Sequence, residues 1–297
     1  MFEVVGHDML DRVGLAIADL RRPDQNSIDA VLIEEGVPAD PWAAAPLPVV
    51  LERMRSPWFP AMLEQRTLEF EYQPILEIDG DGVFGYEAFL RGNVDGISIG
   101  AQEVLLAADA HGCLKDLDRV AREAAIEQGA QIVRRGHALF VNFLPLTVAD
   151  PIDGLSSTFA TIDRSALDPD RIVLELVGCQ IASDVSHASS MLEKYRDLGL
   201  RISVDDFEGD IRSLDMIDRL RPEFVKLSAS IVAQSLELRE CGLLRAIVDR
   251  VHESDTLVIA KNVETREAAD TLRDIGFDAL QGWFVGRPHP VDIAEAA

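Results

Sequence analysis

The sequence predicts an α/β chain: a (β/α)8 barrel of the TIM type with a short, mainly helical N-terminal extension. Two observations carry the barrel. Eight short apolar runs alternate with longer helical stretches from about residue 61 onward, and strand–helix alternation with short connections makes a parallel sheet. Most of these runs also carry a polar residue at or near their ends, whereas a parallel strand buried on both faces should stay apolar. An open doubly wound sheet shares the rhythm, but no GxGxxG follows the first run, which weighs against it. Eight strands in one chain of this size suit a single barrel.

Residues 1–60 read differently and form the first predicted segment, an extension packed on or linked to the barrel of residues 61–297. AVLIEEGVPADPWAAAPLPVV holds four prolines and no strand alternation, so Pro38 to Pro48 reads as a connector. Short helices are expected on either side, around Met9–Leu20 and Val49–Met54. Some 60 residues is marginal for an independent core. The barrel then begins with FEYQPI (70–75) and VFGYEAFL (83–90). ALFVNF (138–143), RIVLELV (171–177), RISVDDF (201–207), FVKLS (224–228), LVIAK (257–261) and ALQGWFV (279–285) complete it. Residues 104–112, 115–133, 191–199, 243–254 and 266–276 read as the intervening helices. Several close on glycine, at Gly112, Gly199 and Gly276, as helix C-termini often do.

Composition narrows the function. A formal net charge of -24 repels a nucleic-acid backbone or an acidic membrane surface. An anionic small molecule binds only where local positive charge or a metal overrides that field. Cys113, Cys179 and Cys241 lie far apart without a CxxC, which points away from a disulfide framework. No apolar stretch approaches the ~20 residues of a membrane span, and no basic-then-apolar leader opens the chain. The cytoplasm is the expected compartment.

The polar residues at the strand ends are the candidate site. Glu87 follows VFGY, Asn142 follows LFV and Glu175 sits inside IVLELV. Asp205 and Asp206 close ISV, Lys226 closes FV, Lys261 closes LVIA and Gln281 follows DAL. In a parallel barrel all strand C-termini open on one face, so these residues should converge. Singly, each is as readily a helix cap or turn former as a ligand. As a set they are costly to gather unless something binds there. Clustered carboxylates repel unless a cation sits among them, and an oxygen-only donor set favours Mg²⁺, Mn²⁺ or Ca²⁺. The six histidines are dispersed and show no zinc spacing.

At this point the residues resemble a known family. Tyr86-Glu87-Ala88-Phe89-Leu90-Arg91 is similar to the signature of the EAL family, cyclic di-GMP phosphodiesterases built on a (β/α)8 barrel. QPI at 73–75, VNFLP at 141–145, LELVG at 174–178, DDF at 205–207, PEFVKLSASIV at 222–232 and QGWFVGRP at 281–288 extend the resemblance in order. It implies that Glu87, Asn142, Glu175 and Asp205 are metal ligands, with Asp206 assisting a second metal. It implies that Lys226 orients the attacking water, with Glu87 beside it in the catalytic set. Gln73, Leu90, Arg91, Pro145 and Gln281 would contact the dinucleotide, and Arg287 is a further candidate contact. In such enzymes two metals generate a hydroxide that attacks one phosphodiester, giving pGpG.

Three departures bear on that activity. The family's Ala-Glu-Gly-Val-Glu-Thr reads Ala260-Lys261-Asn262-Val263-Glu264-Thr265 here, which removes a metal-proximal carboxylate. The family's DDFGTG reads Asp205-Asp206-Phe207-Glu208-Gly209-Asp210. Gly178 and Ser228 replace a loop-supporting Glu and an Asp. With a Glu at 261 the mouth would hold five carboxylates and one lysine, a net of -4; with Lys261 it holds four and two, a net of -2. Lys261 either takes the cation's place or bends out to solvent on its flexible stem; in both cases the carboxylate is gone. The expectation is a degenerate EAL domain that binds cyclic di-GMP and signals to a protein partner, with hydrolysis impaired or absent and the metal sites affected by Lys261. A slow metal-dependent phosphodiesterase and a protein-interaction module that binds no nucleotide are the alternatives. The loop around Glu208 lies where family dimers join, so a homodimer is open.

Overall fold

The computed structural model describes residues 29–30, 44–80, 82–144, 151–177, 185–238 and 241–290. They fall into two compact units, one drawn from Met1–Thr67 and Gly92–Leu114, the other from Leu68–Arg91 and Lys115–Ala297. Pro145, Gly178, Cys179 and the helix expected at Met9–Leu20 lie outside the described residues.

In the first unit a two-residue strand, Asp29–Ala30, pairs antiparallel with Ala45–Pro46. Helices α1 (Leu47–Arg55), α2 (Phe59–Gln65) and α3 (Ala101–Ala110) follow. α1 covers the helix expected at Val49–Met54, and both α1 and α2 open with a proline in the first turn, where its missing N–H has no partner to lose. Phe59 and Met62 are buried, and His111 stacks on Phe59 with ring centroids 5.5 Å apart.

The second unit holds the barrel. Its strands are β1 (Leu68–Glu77), β2 (Val83–Val94), β3 (Ala138–Phe143), β4 (Ile172–Val177), β5 (Arg201–Phe207), β6 (Phe224–Leu227), β7 (Leu257–Ala260) and β8 (Ala279–Gln281). The hydrogen-bonded order runs β1-β8-β7-β6-β5-β4-β3-β2 and closes by pairing β1 with β2. From β2 to β8 neighbouring strands are parallel. β1 departs from the all-parallel expectation, for it runs antiparallel to β8. Residues 78–82 alone join β1 to β2, and so short a connection cannot hold the crossover that parallel neighbours need.

Helices α4 (Leu114–Gln128), α5 (Ala130–Arg134), α6 (Pro151–Arg164), α7 (Val185–Asp197), α8 (Ile211–Leu220), α9 (Ala229–Leu238), α10 (Gly242–His252) and α11 (Arg266–Ile275) complete the α/β alternation. Asp210 caps α8 by accepting from Ser213 N at 2.8 Å, and Thr265 caps α11 through Ala268 N at 3.1 Å. No helix among the described residues is long and apolar enough to cross a membrane.

Side chains alternate along a strand, so every second residue points into the barrel. Ile75, Ala138, Phe140, Val173, Phe224, Ile259 and Ala279 form a buried apolar plug, with Phe84 packed against it. Phe140 packs against Phe224 with ring centroids 5.3 Å apart. One step of two residues further along lies the polar layer: Asn142 after Phe140, Glu175 after Val173, Lys226 after Phe224, Lys261 after Ile259, Gln281 after Ala279. On the reversed strand β1 the count runs backwards, and Gln73 precedes Ile75. The plug sets the floor of the mouth, and the period of two places the polar residues on it.

Candidate functional site

Lys226 is the centre of the polar layer. It is fully buried, and its Nζ lies 2.6 Å from Glu87 Oε2 and 2.7 Å from Glu175 Oε1. The ammonium also sits 5.0 Å from the centroid of the Phe140 ring. Burial alone would discharge it, but attraction to Glu175, Glu87 and Asp205 outweighs burial and holds its pKa above the ordinary lysine value. Glu175 is pushed the other way for a carboxylate. Burial and the neighbouring Glu87 raise its pKa well above the usual range, against the pull of Lys226.

Two amides extend this cluster. Asn142 Nδ2 donates to Glu87 Oε1 at 3.4 Å. Gln281 Nε2 donates to Glu87 Oε2 at 2.8 Å and to Gln73 Oε1 at 3.3 Å. Gln73 Nε2 in turn donates to the Gly286 carbonyl at 3.0 Å. The buried Gln281 Oε1 is left without a hydrogen-bond partner, which is rare for a buried acceptor.

A second cluster stands beside the first. Lys261 Nζ lies 2.6 Å from Asp205 Oδ1 and 2.5 Å from Asp206 Oδ1. Consecutive strand residues ordinarily face opposite sides, so two adjacent aspartates should not reach one ammonium. The pairing of β5 with β6 shifts register between Val204 and Phe207, and Asp206 takes φ +52°. This bulge turns both carboxylates to the same lysine. Asn262, directly after Lys261, also has positive φ, +56°. Lys261 keeps 19% of its side chain exposed; burial lowers its pKa, but Asp205 and Asp206 outweigh that and raise it. Of the two arrangements open from sequence, the ammonium turns inward to the aspartates.

The donor set decides what ion fits. Among the described residues no three His, Cys, Asp or Glu side chains converge as a metal-holding group. At the Asp205–Asp206 end, an ammonium already bonds both carboxylates, and a divalent ion would meet it as a like charge. That end does not fit a metal. Glu87, Asn142 and Glu175 remain oxygen donors of the kind hard ions take, although Lys226 shares both carboxylates.

Of the remaining expected contacts, Arg91 bonds Glu71 Oε2 on β1 at 2.6 Å and the Leu90 carbonyl on its own strand β2 at 2.8 Å, so its guanidinium is engaged within the barrel wall. Leu90 is half-buried and Gln73 buried. Arg287 is exposed and stacks on Trp283, 4.8 Å from the ring centroid. Two features escaped the sequence reading. One is Trp283, read there only as part of a strand. The other is a buried pair on α4, Asp118 and Arg122: Asp118 Oδ1 accepts from Leu144 N at 2.9 Å and so anchors the segment that follows Asn142. Their i,i+4 spacing on one helix face was the available signal.

The EAL domain model matches residues 58–288. The chain belongs to the EAL domain family. Among curated relatives, it is 26% identical over 238 residues to the bifunctional diguanylate cyclase/cyclic di-GMP phosphodiesterase MucR of Pseudomonas aeruginosa, covering 77% of this chain and 34% of MucR. It is 25% identical over 241 residues to the cyclic di-GMP phosphodiesterase NbdA of the same organism, covering 78% of this chain and 30% of NbdA. The chain thus spans about a third of the length of these relatives. Among solved structures, the EAL domain of Xanthomonas citri FimX in complex with c-diGMP superposes with TM-score 0.73 at 21% identity, covering 81% of this chain and 96% of that one. The MucR phosphodiesterase c-di-GMP complex superposes with TM-score 0.68 at 24% identity, covering 82% and 99%. These likenesses establish the EAL barrel fold.

Proposed function

We propose that this EAL domain binds cyclic di-GMP at the barrel mouth and signals through that binding, with phosphodiesterase activity impaired or absent. The single observation that carries the reading is the contact of Lys261 with Asp205 and Asp206 at 2.6 and 2.5 Å. Two-metal hydrolysis needs both ions in place to generate the nucleophile and hold the phosphate. Here one pair of donors is bonded, and half compensated in charge, by an ammonium that belongs to the chain. Neither lysine replaces the missing base, since both ammonium groups are held above the ordinary lysine pKa by the carboxylates around them. On this reading no two-metal hydrolytic step runs through these residues.

Recognition of the dinucleotide does not require that step. Lys261 is partly open to solvent, the exposed Arg287 lies on the segment that Gln73 holds, and the buried Gln281 keeps an unpartnered acceptor. Positive side chains and a fixed amide suit phosphates and a base edge. Two solved barrels of this fold carry c-di-GMP, which supports the choice of ligand. A slow phosphodiesterase with one metal, releasing pGpG, is the second reading. It is favoured by the oxygen donors Glu87, Asn142 and Glu175 standing side by side, which would hold Mg²⁺, Mn²⁺ or Ca²⁺ and bring positive charge to a phosphate.

Calorimetric titration with cyclic di-GMP in Mg²⁺, in Ca²⁺ and in EDTA separates the readings. Binding that persists in EDTA without pGpG release is the expected result. Release of pGpG supports the second reading, and no binding in any condition overturns both. Lys261→Glu is expected to raise Mg²⁺ affinity at the mouth; an unchanged affinity would remove the charge argument.

A further inference from the structure

Trp283 is 60% exposed, although an indole is ordinarily well buried. Its backbone is nevertheless fixed. A Cβ on Gly282 would lie 2.3 Å from both the N and O of Val263, so the chain passes directly against the segment that follows Lys261. Val263 N donates to the Gln281 carbonyl at 3.1 Å and Phe284 N to the Val263 carbonyl at 2.9 Å. Val285 N and Gly286 N both close on the Gly282 carbonyl at 3.0 Å, and Gln73 holds the Gly286 carbonyl from β1. The turn is pinned on both sides of Trp283, and the Arg287 guanidinium backs the indole at 4.8 Å.

An open aromatic plane on a rigid turn, two residues from the buried Gln281, has little left to gain from the protein itself. It is arranged to receive a flat ring. We propose that Trp283, backed by Arg287, stacks on one purine base of the bound dinucleotide and is a binding residue of the mouth. The proposal rests on the cyclic di-GMP reading above and adds the group that takes the base. Base–aromatic stacking uses the π face that every base has, and a guanidinium across the indole adds its own attraction to the ring system.

The test uses the full chain, cyclic di-GMP as titrant, and two readouts, calorimetric affinity and tryptophan emission. Trp283→Leu keeps an apolar side chain without the ring, and Trp283→Phe keeps a smaller ring. Because the indole is mostly exposed, both variants should melt at the wild-type temperature. Affinity is expected to fall about tenfold or more in Trp283→Leu and by less in Trp283→Phe. Saturating ligand should change the emission of wild type and not that of Trp283→Leu. Equal affinity in wild type and Trp283→Leu, or emission that does not respond in wild type, overturns the stack while leaving the binding reading intact. A wild-type protein that takes up no cyclic di-GMP overturns both.

Discussion

Lys226 and Lys261 show how differently the same side chain behaves at two depths. Lys226 has no exposed surface and touches two carboxylates. Its charge is fixed because removing it would leave Glu87 and Glu175 facing each other in a dry interior. Breaking a buried pair by deleting one partner costs more than the pair contributes, because the surviving charge keeps its desolvation penalty. Lys226→Met is therefore expected to destabilise the fold by about 3–5 kcal/mol, read as a lower urea midpoint at constant slope. A loss under about 1 kcal/mol would show that water or protons already relieve the two glutamates. Lys261 is nearer the surface, and its two aspartates are unequally exposed, 16% and 57%. Solvent screens that triad, so its weight falls on what it excludes from the mouth and only lightly on stability.

At the scale of elements, two devices build the mouth, and they were not equally legible. The eight runs and the polar residues at their ends, Asn142, Glu175, Lys226, Lys261 and Gln281 among them, are legible in the sequence. The reversal of β1 was missed because FEYQPI alone says nothing of direction; the signal was the short Asp-Gly-rich link to VFGY, too brief for a helix. The bulge in β5 was equally hidden. Only the backbone shows Asp206 at positive φ, and only that turn brings two neighbouring aspartates to one ammonium. The convergence of the strand-end polar residues was thus readable, whereas their pairing was not, since which lysine meets which acid depends on register. The closing turn after β8 gives a test at this scale. Gly282→Ala places a methyl 2.3 Å from backbone atoms of Val263, and backbone cannot swing aside as a side chain can. A stability loss of about 1–3 kcal/mol is expected, with earlier hydrogen exchange at Val263 and Phe284, whose amides hold the turn. Unchanged exchange at those two amides would mean the strap is held from elsewhere.

Across the whole chain, 52 acidic residues face 28 basic ones, and the mouth, with four acids and two lysines, shares that sign. Lys261 lessens the local excess from the -4 that a glutamate there would give to -2 without reversing it. Self-repulsion of the rest should be visible in solution. Raising salt from about 0.1 M to about 1 M shortens the Debye length from about 10 Å to about 3 Å, and the melting temperature is expected to rise. A fall would mean that attractive pairs such as Arg250–Asp218 outweigh the excess charge. The inward-turned Lys261 has one further consequence. A cofactor ion can be chelated, diluted or exchanged for a neighbour in the periodic table; an amine built into the polypeptide is delivered once per molecule at translation. The counter-charge on Asp205 and Asp206 is therefore independent of how much magnesium or calcium is supplied.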